Sequence, residues 1–145
     1  MTEFSIGELA RETGCKVPTI RYYEDIGILP EASRTAGNQR RYGRAALERL
    51  AFVRHARELG FGLDDIRILL ELSDRPDRSC AEADAIARTQ LAAVERRMRS
   101  LAALKRELER MIDHHSGGTV TDCRVIRVLS DHALCVADRH PDVSA

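Results

Sequence analysis

The stretch of sequence that decides the fold is SIGELARETGCKVPTIRYYEDIG, residues 5–27. Ser5 and Glu8 form the pattern of a capping box, so a helix is predicted to begin at the residue after Ser5 and to end at Gly14. Pro18 suits the first turn of a second helix, because its missing N–H group is not needed there. The segment therefore predicts two short helices joined by a tight turn.

Both predicted helices carry apolar residues at spacings that place them on one buried face. These residues are Ile6, Leu9 and Ala10 in the first helix and Ile20, Tyr23 and Ile26 in the second. Arg21 and Tyr22 point away from that face, and Gly27 ends the second helix. The second helix is thus predicted to present a polar side to its surroundings.

Beyond these two helices, the sequence predicts a hairpin and two further helices. Gly37 and Asn38 lie between Arg34 and the run QRRY at 39–42, which is typical of a two-stranded hairpin, called the wing below. Helices are predicted near 44–58 and 64–72, followed by a linker at 73–78. The apolar side of the first of these is predicted to comprise Leu47, Leu50, Phe52 and Val53.

One long helix is predicted to follow the linker. Ser79 and Glu82 form a second capping-box pattern, and neither Gly nor Pro occurs again before Gly117. A helix of about 34 residues and roughly 50 Å results. Its apolar residues alternate three and four apart, as in a coiled coil interrupted by Lys105. These residues, called the seam below, are Leu91, Val94, Met98, Leu101, Leu108 and Ile112. The core of one small head cannot cover so long a stripe, so a homodimer is predicted.

A loop and a last short helix are predicted after the long helix. The loop at 116–121 contains glycine, and Asp122 is expected to cap the helix that follows. The apolar residues of that helix are Val125, Ile126 and Leu129. The tail beyond Cys135 is expected to fray.

Composition excludes several classes of protein. With 145 residues, 32% of them charged and no Trp, the chain suits a helical, solvent-rich protein better than a β-sandwich or a pair of enzyme domains. No apolar run is long enough to span a bilayer and the start lacks a signal-peptide pattern, so a cytoplasmic protein without a membrane partner is expected. The formal net charge is +0, yet seven arginines and one acid, Glu48, lie between Arg34 and Arg57. This strip indicates a confined contact with a polyanion.

Several segments together resemble the MerR family of mercury-resistance regulators. The matching residues are IGELA at 6–10, TIRYYE at 19–24, GIL at 27–29, Arg34, Gly37-Asn38, Arg41-Tyr42, LGF at 59–61 and Ile66. The resemblance covers essentially the whole chain. It implies a dimer that is joined through an antiparallel coiled coil and binds a promoter whose spacer is too long for RNA polymerase. It also implies that effector binding undertwists and bends this DNA, which activates transcription by aligning the promoter elements.

The predicted DNA contacts follow from the helix-turn-helix and the wing. Arg21 and Tyr22, with Thr19, stand where a recognition helix enters the major groove. Side chains of the wing and of the next helix are expected to clamp the phosphate backbone on either side. These are Arg34, Asn38, Arg40, Arg41, Tyr42, Arg54 and Arg57. Double-stranded promoter DNA is the expected partner.

The cysteines point to metal chemistry. A reducing cytosol disfavours structural disulfides, and the wide spacing of the four cysteines excludes a CxxC motif. Cys80 and Cys123 are each expected at the first position of a helix, where unpaired N–H groups and the helix dipole favour thiolate. If the long helix is unbroken, these two thiols of one chain lie too far apart to share a metal. An antiparallel dimer would bring the start of one helix beside the end of the other, so the site is predicted to span two chains.

The resemblance supports this placement. Cys80 matches a cysteine that marks members sensing divalent ions, Cys123 matches the second cysteine of the metal-binding loop, and His115 stands where most relatives carry the first. The expected ligands are Cys80, His115, Cys123 and Cys135, ahead of His114, His132 and Cys15. Mixed thiolate and imidazole ligands suit Zn(II), whereas pure thiolate favours softer ions, so zinc ranks first, with Cd(II) or Pb(II) next.

Four other functions were weighed against metal sensing. An iron-sulfur or redox regulator needs more closely grouped cysteines, and a drug-responsive relative needs a larger C-terminal domain than about 30 residues provide. An enzyme is disfavoured because the sequence contains no nucleophile elbow, no HExxH motif and no phosphate-binding glycine loop. A purely structural coiled-coil adaptor would not bind promoter DNA.

The predicted architecture is mainly α-helical. It comprises a winged helix-turn-helix DNA-binding domain at 1–73, a dimerisation helix at 79–114, and a C-terminal metal-binding loop, short helix and tail at 115–145. The long helix is expected to form an antiparallel coiled coil.

Overall fold

The computed structural model describes residues 2–113 and 118–135. The elements follow in the order α1 (Ile6–Thr13), α2 (Val17–Asp25), β1 (Ser33–Arg34), β2 (Arg40–Arg41), α3 (Arg44–Glu58), α4 (Leu63–Ser73), α5 (Ala81–Asp113) and α6 (Arg124–Ser130). The chain divides into two compact units, Met1–Ala87 and Arg88–Ala145, and the boundary in the sequence falls within α5. The prediction of a mainly helical chain with a helix-turn-helix head and one long helix is confirmed.

The ends of α1 and the start of α2 form as the sequence predicted. The Ser5 hydroxyl accepts a hydrogen bond from the Glu8 N–H (3.2 Å), and the Glu8 carboxylate accepts one from the Ser5 N–H (2.7 Å), which completes the capping box. These bonds to the ionised form lower the pKa of Glu8. Gly14 ends α1 with φ 71°, a left-handed conformation that glycine adopts at little cost. Pro18 lies in the first turn of α2.

The hydrophobic core lies entirely in the first unit and joins α1–α4. It comprises Leu9, Ile20, Tyr23, Ile28, Leu29, Tyr42, Leu50, Val53, Ala56, Ile66 and Leu70. Full burial of a large aliphatic side chain contributes about 2 kcal/mol. This core therefore holds the two helices of the helix-turn-helix against α3 and α4, which positions the polar face of α2.

Phe52 does not belong to the core, contrary to the sequence prediction. It is 38% exposed, whereas Leu50 and Val53 are fully buried. A residue two positions beyond Leu50 lies about 200° around the helix, so Phe52 points away from the face that Leu50 shares with Val53. The predicted bounds of α3 are confirmed.

Helix α5 is 33 residues long and unbroken, as predicted, but it begins one residue later than the Ser79 cap would place it. The Ser79 hydroxyl accepts from the Ala81 N–H (3.2 Å), and the Cys80 carbonyl accepts the first helical bond, from Asp84 (2.9 Å). All six seam residues are exposed in the single chain, from Val94 at 40% to Ile112 at 64%. No helix in the ranges 2–113 and 118–135 combines the length and apolarity needed to cross a membrane.

The buried residue of α6 is one that the sequence prediction missed. Val128 is 2% exposed, whereas Ile126 and Leu129 are 45% and 72% exposed. Val125 is half-buried. A helix of only seven residues buries few side chains, and which of them are buried depends on the surface against which the helix packs. The sequence alone does not specify that surface. The predicted tail beyond Cys135 lies outside the described residues.

Candidate DNA interface and metal-binding segment

The exposed side of α2 carries the residues that the sequence assigned to DNA. Arg21 and Tyr22 are exposed, with 51% of Tyr22 accessible, while Ile20 and Tyr23 are buried. Thr19 is half-buried. Because its apolar face is anchored in the core, α2 presents Arg21 and Tyr22 from a fixed backbone, the arrangement required of a helix that reads the major groove.

A cleft of about 380 Å³ lies between the start of α1, the exposed side of α2 and the wing. Its lining residues are Ser5, Ile6, Arg21, Arg34, Asn38, Gln39 and Arg40. Three of these seven are arginines, so the cleft attracts anions. The structure thus brings predicted DNA-binding residues of α2 and the wing to one place.

The wing is a short antiparallel hairpin in which Ser33 pairs with Arg41 and Arg34 with Arg40. Asn38 takes the left-handed conformation in its turn, with φ 64°, which asparagine tolerates better than most residues. Arg34 donates from Nη1 to the Asn38 carbonyl (3.1 Å), so it stiffens the turn while its side chain remains exposed. The predicted hairpin is confirmed.

The structure corrects the prediction for Tyr42. This side chain is 2% exposed and belongs to the core, and its backbone forms an antiparallel bridge with Phe4. Burial, together with the nearby Glu24 carboxylate, raises the pKa of Tyr42. Successive residues of an extended chain face opposite sides, so Tyr42 and Arg41 cannot both face DNA. Tyr42 therefore does not join the wing surface.

Arg40 faces the same side of the wing as Tyr42 and forms an ion pair with Glu24 (Nε to Oε2, 3.1 Å). The side chain of Glu24 is only 9% exposed and that of Arg40 is 28% exposed. Arg41, on the other side of the strand, is half-buried. Arg40 is therefore bound to α2, whereas Arg34, its cross-strand partner, is exposed and lines the same cleft.

Two arginines of α3 bind carbonyl groups of their own chain. Arg54 donates from Nη1 to the Thr13 carbonyl and pairs with Glu58 (3.3 Å), and Arg57 donates to the Phe61 carbonyl (3.1 Å). A cationic donor at the end of a helix satisfies a carbonyl that lacks a helical partner, as Arg54 does for Thr13 at the end of α1. Arg54 and Arg57 therefore stabilise the head, a role that the sequence analysis did not assign to them.

Three further residues link elements of the head and were not predicted from the sequence. Arg49 donates to the Ile28 carbonyl (2.8 Å), Arg67 donates to the Ile26 carbonyl, and Glu24 joins α2 to the wing. For Glu24 a signal existed, because a carboxylate in the last turn of a helix opposes the helix dipole and therefore needs a cationic partner. For the arginines no local signal existed, since their acceptors lie 21 and 41 residues away.

Cys80 is exposed and stands immediately before α5. Cys123 is half-buried and stands immediately before α6, after a 3-10 turn at Val120–Asp122. Both cysteines therefore occupy the position before the first helical residue, one position earlier than predicted. Asp122 belongs to the 3-10 turn instead of capping α6. The predicted similarity between the two positions is retained, since each cysteine carbonyl accepts the first hydrogen bond of its helix.

Cys135 follows a 3-10 turn at His132–Leu134 and is half-buried. Burial, and next the hydrogen bond to the Glu107 carboxylate, raise the pKa of the Cys135 thiol. Glu107 is itself 8% exposed and pairs with Arg110 (2.9 Å). Among the described residues, Cys135 is thus held by a carboxylate of α5.

The remaining predicted ligands are distributed over the chain. His114 and His115 lie outside the described residues, and His132 is exposed. Cys15 packs against the core of the head, and its N–H donates to the Thr13 hydroxyl (3.3 Å). Within residues 2–113 and 118–135 of one chain, no three His, Cys, Asp or Glu side chains form a group that could hold a metal ion.

The sequence of the chain matches known families and individual proteins. Residues 4–73 match the family described as MerR HTH family regulatory protein, and residues 47–111 match the family described as MerR, DNA binding. The chain is 38% identical over 130 residues to the transcriptional regulator HmrR of Rhizobium leguminosarum bv. viciae, covering 89% of this chain and 99% of that protein. It is 37% identical to the transcriptional regulator ZntR of Escherichia coli K12, covering 90% and 94% respectively.

A solved structure is also similar. The transcription regulator PbrR691 of Ralstonia metallidurans CH34, solved in complex with lead(II), matches with a TM-score of 0.73 and 40% identity, covering 87% of this chain and 98% of that one.

An anchored recognition helix beside a basic wing defines the class of winged helix-turn-helix DNA-binding regulators. The chain belongs to the MerR family of transcriptional regulators. It is accordingly a regulator of transcription and not an enzyme.

Proposed function

We propose that this protein is a homodimeric transcriptional activator that binds promoter DNA and responds to a divalent metal ion. The observation that carries the proposal is the pairing of an exposed apolar seam on α5 with a cysteine immediately before that helix and further cysteines after it. The lead(II) complex of PbrR691 supports a divalent metal as the signal. The proposed division is a DNA-binding domain at 1–73, a dimerisation helix at 79–114 and a metal-binding segment at 115–145.

The DNA contacts are assigned to exposed and half-exposed groups around the cleft. Arg21, Tyr22 and Thr19 read the major groove from α2, and Arg34, Asn38 and Arg41 bind phosphates from the wing. Each phosphate that is neutralised releases condensed counterions, so affinity should fall steeply as salt rises. Arg54 and Arg57 support this surface through their bonds to the Thr13 and Phe61 carbonyls.

The seam supports the proposed homodimer. Six large apolar side chains, 40% to 64% exposed in one chain, recur at coiled-coil spacing along α5. On another side of the same helix, Glu107 and Met111 are buried within the chain. Helix α5 thus has one face that its own chain covers and one that a second copy would cover in antiparallel orientation.

The donor set fits a thiophilic or borderline metal. A helix of 33 residues is about 50 Å long, and Cys80 precedes its first residue while Cys123 follows its last. Cys80 of one chain would therefore act with Cys123 of the other, with His115 completing a mixed thiolate and imidazole set. That set favours Zn(II) over Cd(II) or Pb(II), and the bound ion would supply a cross-link between chains. Cys135 is the weaker candidate because its thiol bonds to Glu107.

A ligand set shared between chains links metal binding to DNA shape. Ligation that involves both chains favours one relative placement of the two heads, and the promoter then adopts the twist and bend which that placement requires. RNA polymerase is the partner that uses the realigned promoter. The free energy that drives the change in promoter shape comes from the difference in metal affinity between the two dimer conformations.

The test is in vitro transcription with the purified dimer, RNA polymerase and the target promoter, titrated with Zn(II), Cd(II) and Pb(II). Cys80→Ser and Cys123→Ser should each abolish the response and reduce the bound metal measured after dialysis, while both variants still bind promoter DNA. Cys15→Ser, at a half-buried cysteine that packs against the core of the head, is the control and should respond normally.

Coexpression of the two variants sharpens the test. A heterodimer of Cys80→Ser and Cys123→Ser chains retains one complete intersubunit pair of thiols, so metal binding should return at one site per heterodimer. A site built within one chain would not be restored. Absence of restored metal binding in the isolated heterodimer would refute the shared site.

A further inference from the structure

Glu24 is a buried carboxylate at the end of the recognition helix. Its side chain is 9% exposed, and it lies in the last turn of α2, next to Asp25. Both its burial and the negative end of the helix dipole disfavour a carboxylate at this position. Other groups of the head compensate this charge.

The compensating groups come from the wing. Oε1 of Glu24 accepts a hydrogen bond from the backbone N–H of Ala32 (3.2 Å), directly before β1, and Oε2 pairs with Nε of Arg40 in β2 (3.1 Å). The two oxygens of one carboxylate thus bind the residue that precedes β1 and a residue of β2. The buried hydroxyl of Tyr42, which follows β2, lies near the same carboxylate.

Other ion pairs of the head differ from this one in exposure. The pair of Arg44 and Glu48, within α3, is 73% and 71% exposed and joins residues one helical turn apart. Such surface pairs contribute little, because solvent screens them and their side chains move freely. The Glu24 and Arg40 pair is shielded and joins two elements of the DNA-binding surface.

The bonds between Glu24 and the wing affect the spacing of the charged side chains that line the cleft. Arg21 of α2 and Arg34 and Arg40 of the wing line one cavity of about 380 Å³. Three like charges repel one another and would tend to separate the wing from α2. The Glu24 carboxylate, bonded to Ala32 and Arg40, offsets this repulsion and favours a constant spacing.

We propose that Glu24 is a positioning residue that fixes the wing relative to the recognition helix, and that Arg40 contributes to DNA binding through Glu24 and not by contact with phosphate. This inference rests on the proposed DNA surface and deepens it. Direct contact is made by the groups already assigned to DNA, among them Arg21 on α2 and Arg34 on the wing, whose separation Glu24 and Arg40 determine.

The test compares the promoter affinity of the full-length dimer and its Glu24→Gln, Arg40→Gln and doubly substituted variants over a range of salt concentrations. Each single substitution should weaken promoter binding about tenfold, which corresponds to about 1.4 kcal/mol and lies within the usual range of interaction energies between neighbouring residues. The double substitution should weaken binding no more than either single substitution. The slope of log affinity against log salt should stay that of the unsubstituted protein in all three. Affinities are measured at a temperature well below the unfolding midpoint of each variant, and tyrosine fluorescence like that of the unsubstituted protein verifies that the variant is folded.

Two controls accompany this series. Glu48→Gln, in the exposed pair of α3, should bind as the unsubstituted protein does. Arg21→Gln should lose affinity and, if Arg21 meets a phosphate, reduce the salt slope by about one. If Arg21→Gln bound promoter DNA as tightly as the unsubstituted protein, the proposed DNA surface itself would be wrong.

The opposite pattern overturns the inference alone. If Arg40→Gln reduces the salt slope by about one while Glu24→Gln binds normally, then Arg40 is a phosphate contact and Glu24 has no positioning role. Additive losses in the double variant would equally refute coupling. If Glu24→Gln fails to fold, the salt slope of Arg40→Gln still decides the question.

Discussion

The head and the C-terminal unit differ in how far each covers its own apolar residues. In the head, eleven residues of the core are buried together, and arginine side chains bind carbonyls at the ends of α1 and α2. In the described part of the second unit, the buried apolar residues are Met111 and Val128, while the whole seam is exposed. The head thus covers its own apolar residues, whereas the described part of the C-terminal unit leaves an apolar stripe exposed.

The largest expected effect is on the stability of the head. Ile20→Ala removes a fully buried side chain from α2 and should lower the free energy of unfolding by about 2–5 kcal/mol. All three tyrosines, Tyr22, Tyr23 and Tyr42, lie in the head, so their fluorescence during urea titration reports on this unit alone. Leu129→Ala, at a residue 72% exposed in the other unit, is the control and should change stability by less than about 0.5 kcal/mol.

The next effect concerns the seam. Leu101→Lys places a charge in the middle of the apolar stripe and should raise the dissociation constant of the dimer about 100-fold, or about 2.7 kcal/mol. Sedimentation equilibrium measures the change, and the tyrosine fluorescence of the head should not alter. Ala92→Lys, an exposed position beside the seam, serves as the matched control. Equal dimerisation of Leu101→Lys and Ala92→Lys would show that this stripe is not the dimer surface.

The smallest expected effect is on stability at alkaline pH, where a buried and an exposed tyrosine of the head should differ. Burial raises the pKa of Tyr42 above its usual value of 10.0, so at higher pH the unfolded chain loses this proton first and the folded state loses stability. Between pH 10 and 11 this group should cost about 1 kcal/mol, and Tyr42→Phe should remove that part of the pH dependence. Urea midpoints followed by circular dichroism measure it.

Tyr22→Phe provides the comparison, because Tyr22 is 51% exposed. It should keep the pH dependence of the unsubstituted protein. If Tyr42→Phe and Tyr22→Phe behave alike between pH 10 and 11, burial of the Tyr42 hydroxyl does not govern alkaline stability.

Local sequence patterns predicted much of the fold. The capping box of Ser5 and Glu8, the glycine stop at Gly14, the bounds of α3 and the length of α5 are confirmed, because each depends on residues within a few positions of one another. The starts of α5 and α6 were predicted one residue too early. The hydroxyl of Ser79 makes a turn bond before the helix begins, and Asp122 ends a 3-10 turn, alternatives that the capping pattern does not distinguish.

The candidate site was less accessible to sequence reasoning than the fold. A run of arginines indicates a basic surface, but it does not show which of them bind carbonyls of their own chain, as Arg49, Arg54 and Arg67 do. Nor does the motif TIRYYE reveal that its final glutamate holds the wing. These partners are distant in sequence, and only the packed chain brings them together.

Hydrophobic periodicity and helix capping therefore determined which segments are helices, which face of each is apolar, and that α5 carries a stripe too long for one chain to cover. These properties follow from interactions between residues one or two turns apart. Tertiary packing alone decided that Tyr42 is buried and that Arg40 pairs with Glu24. Such choices depend on which surfaces meet after folding, because burial and charge compensation are properties of the whole environment of a side chain and not of its neighbours in the chain.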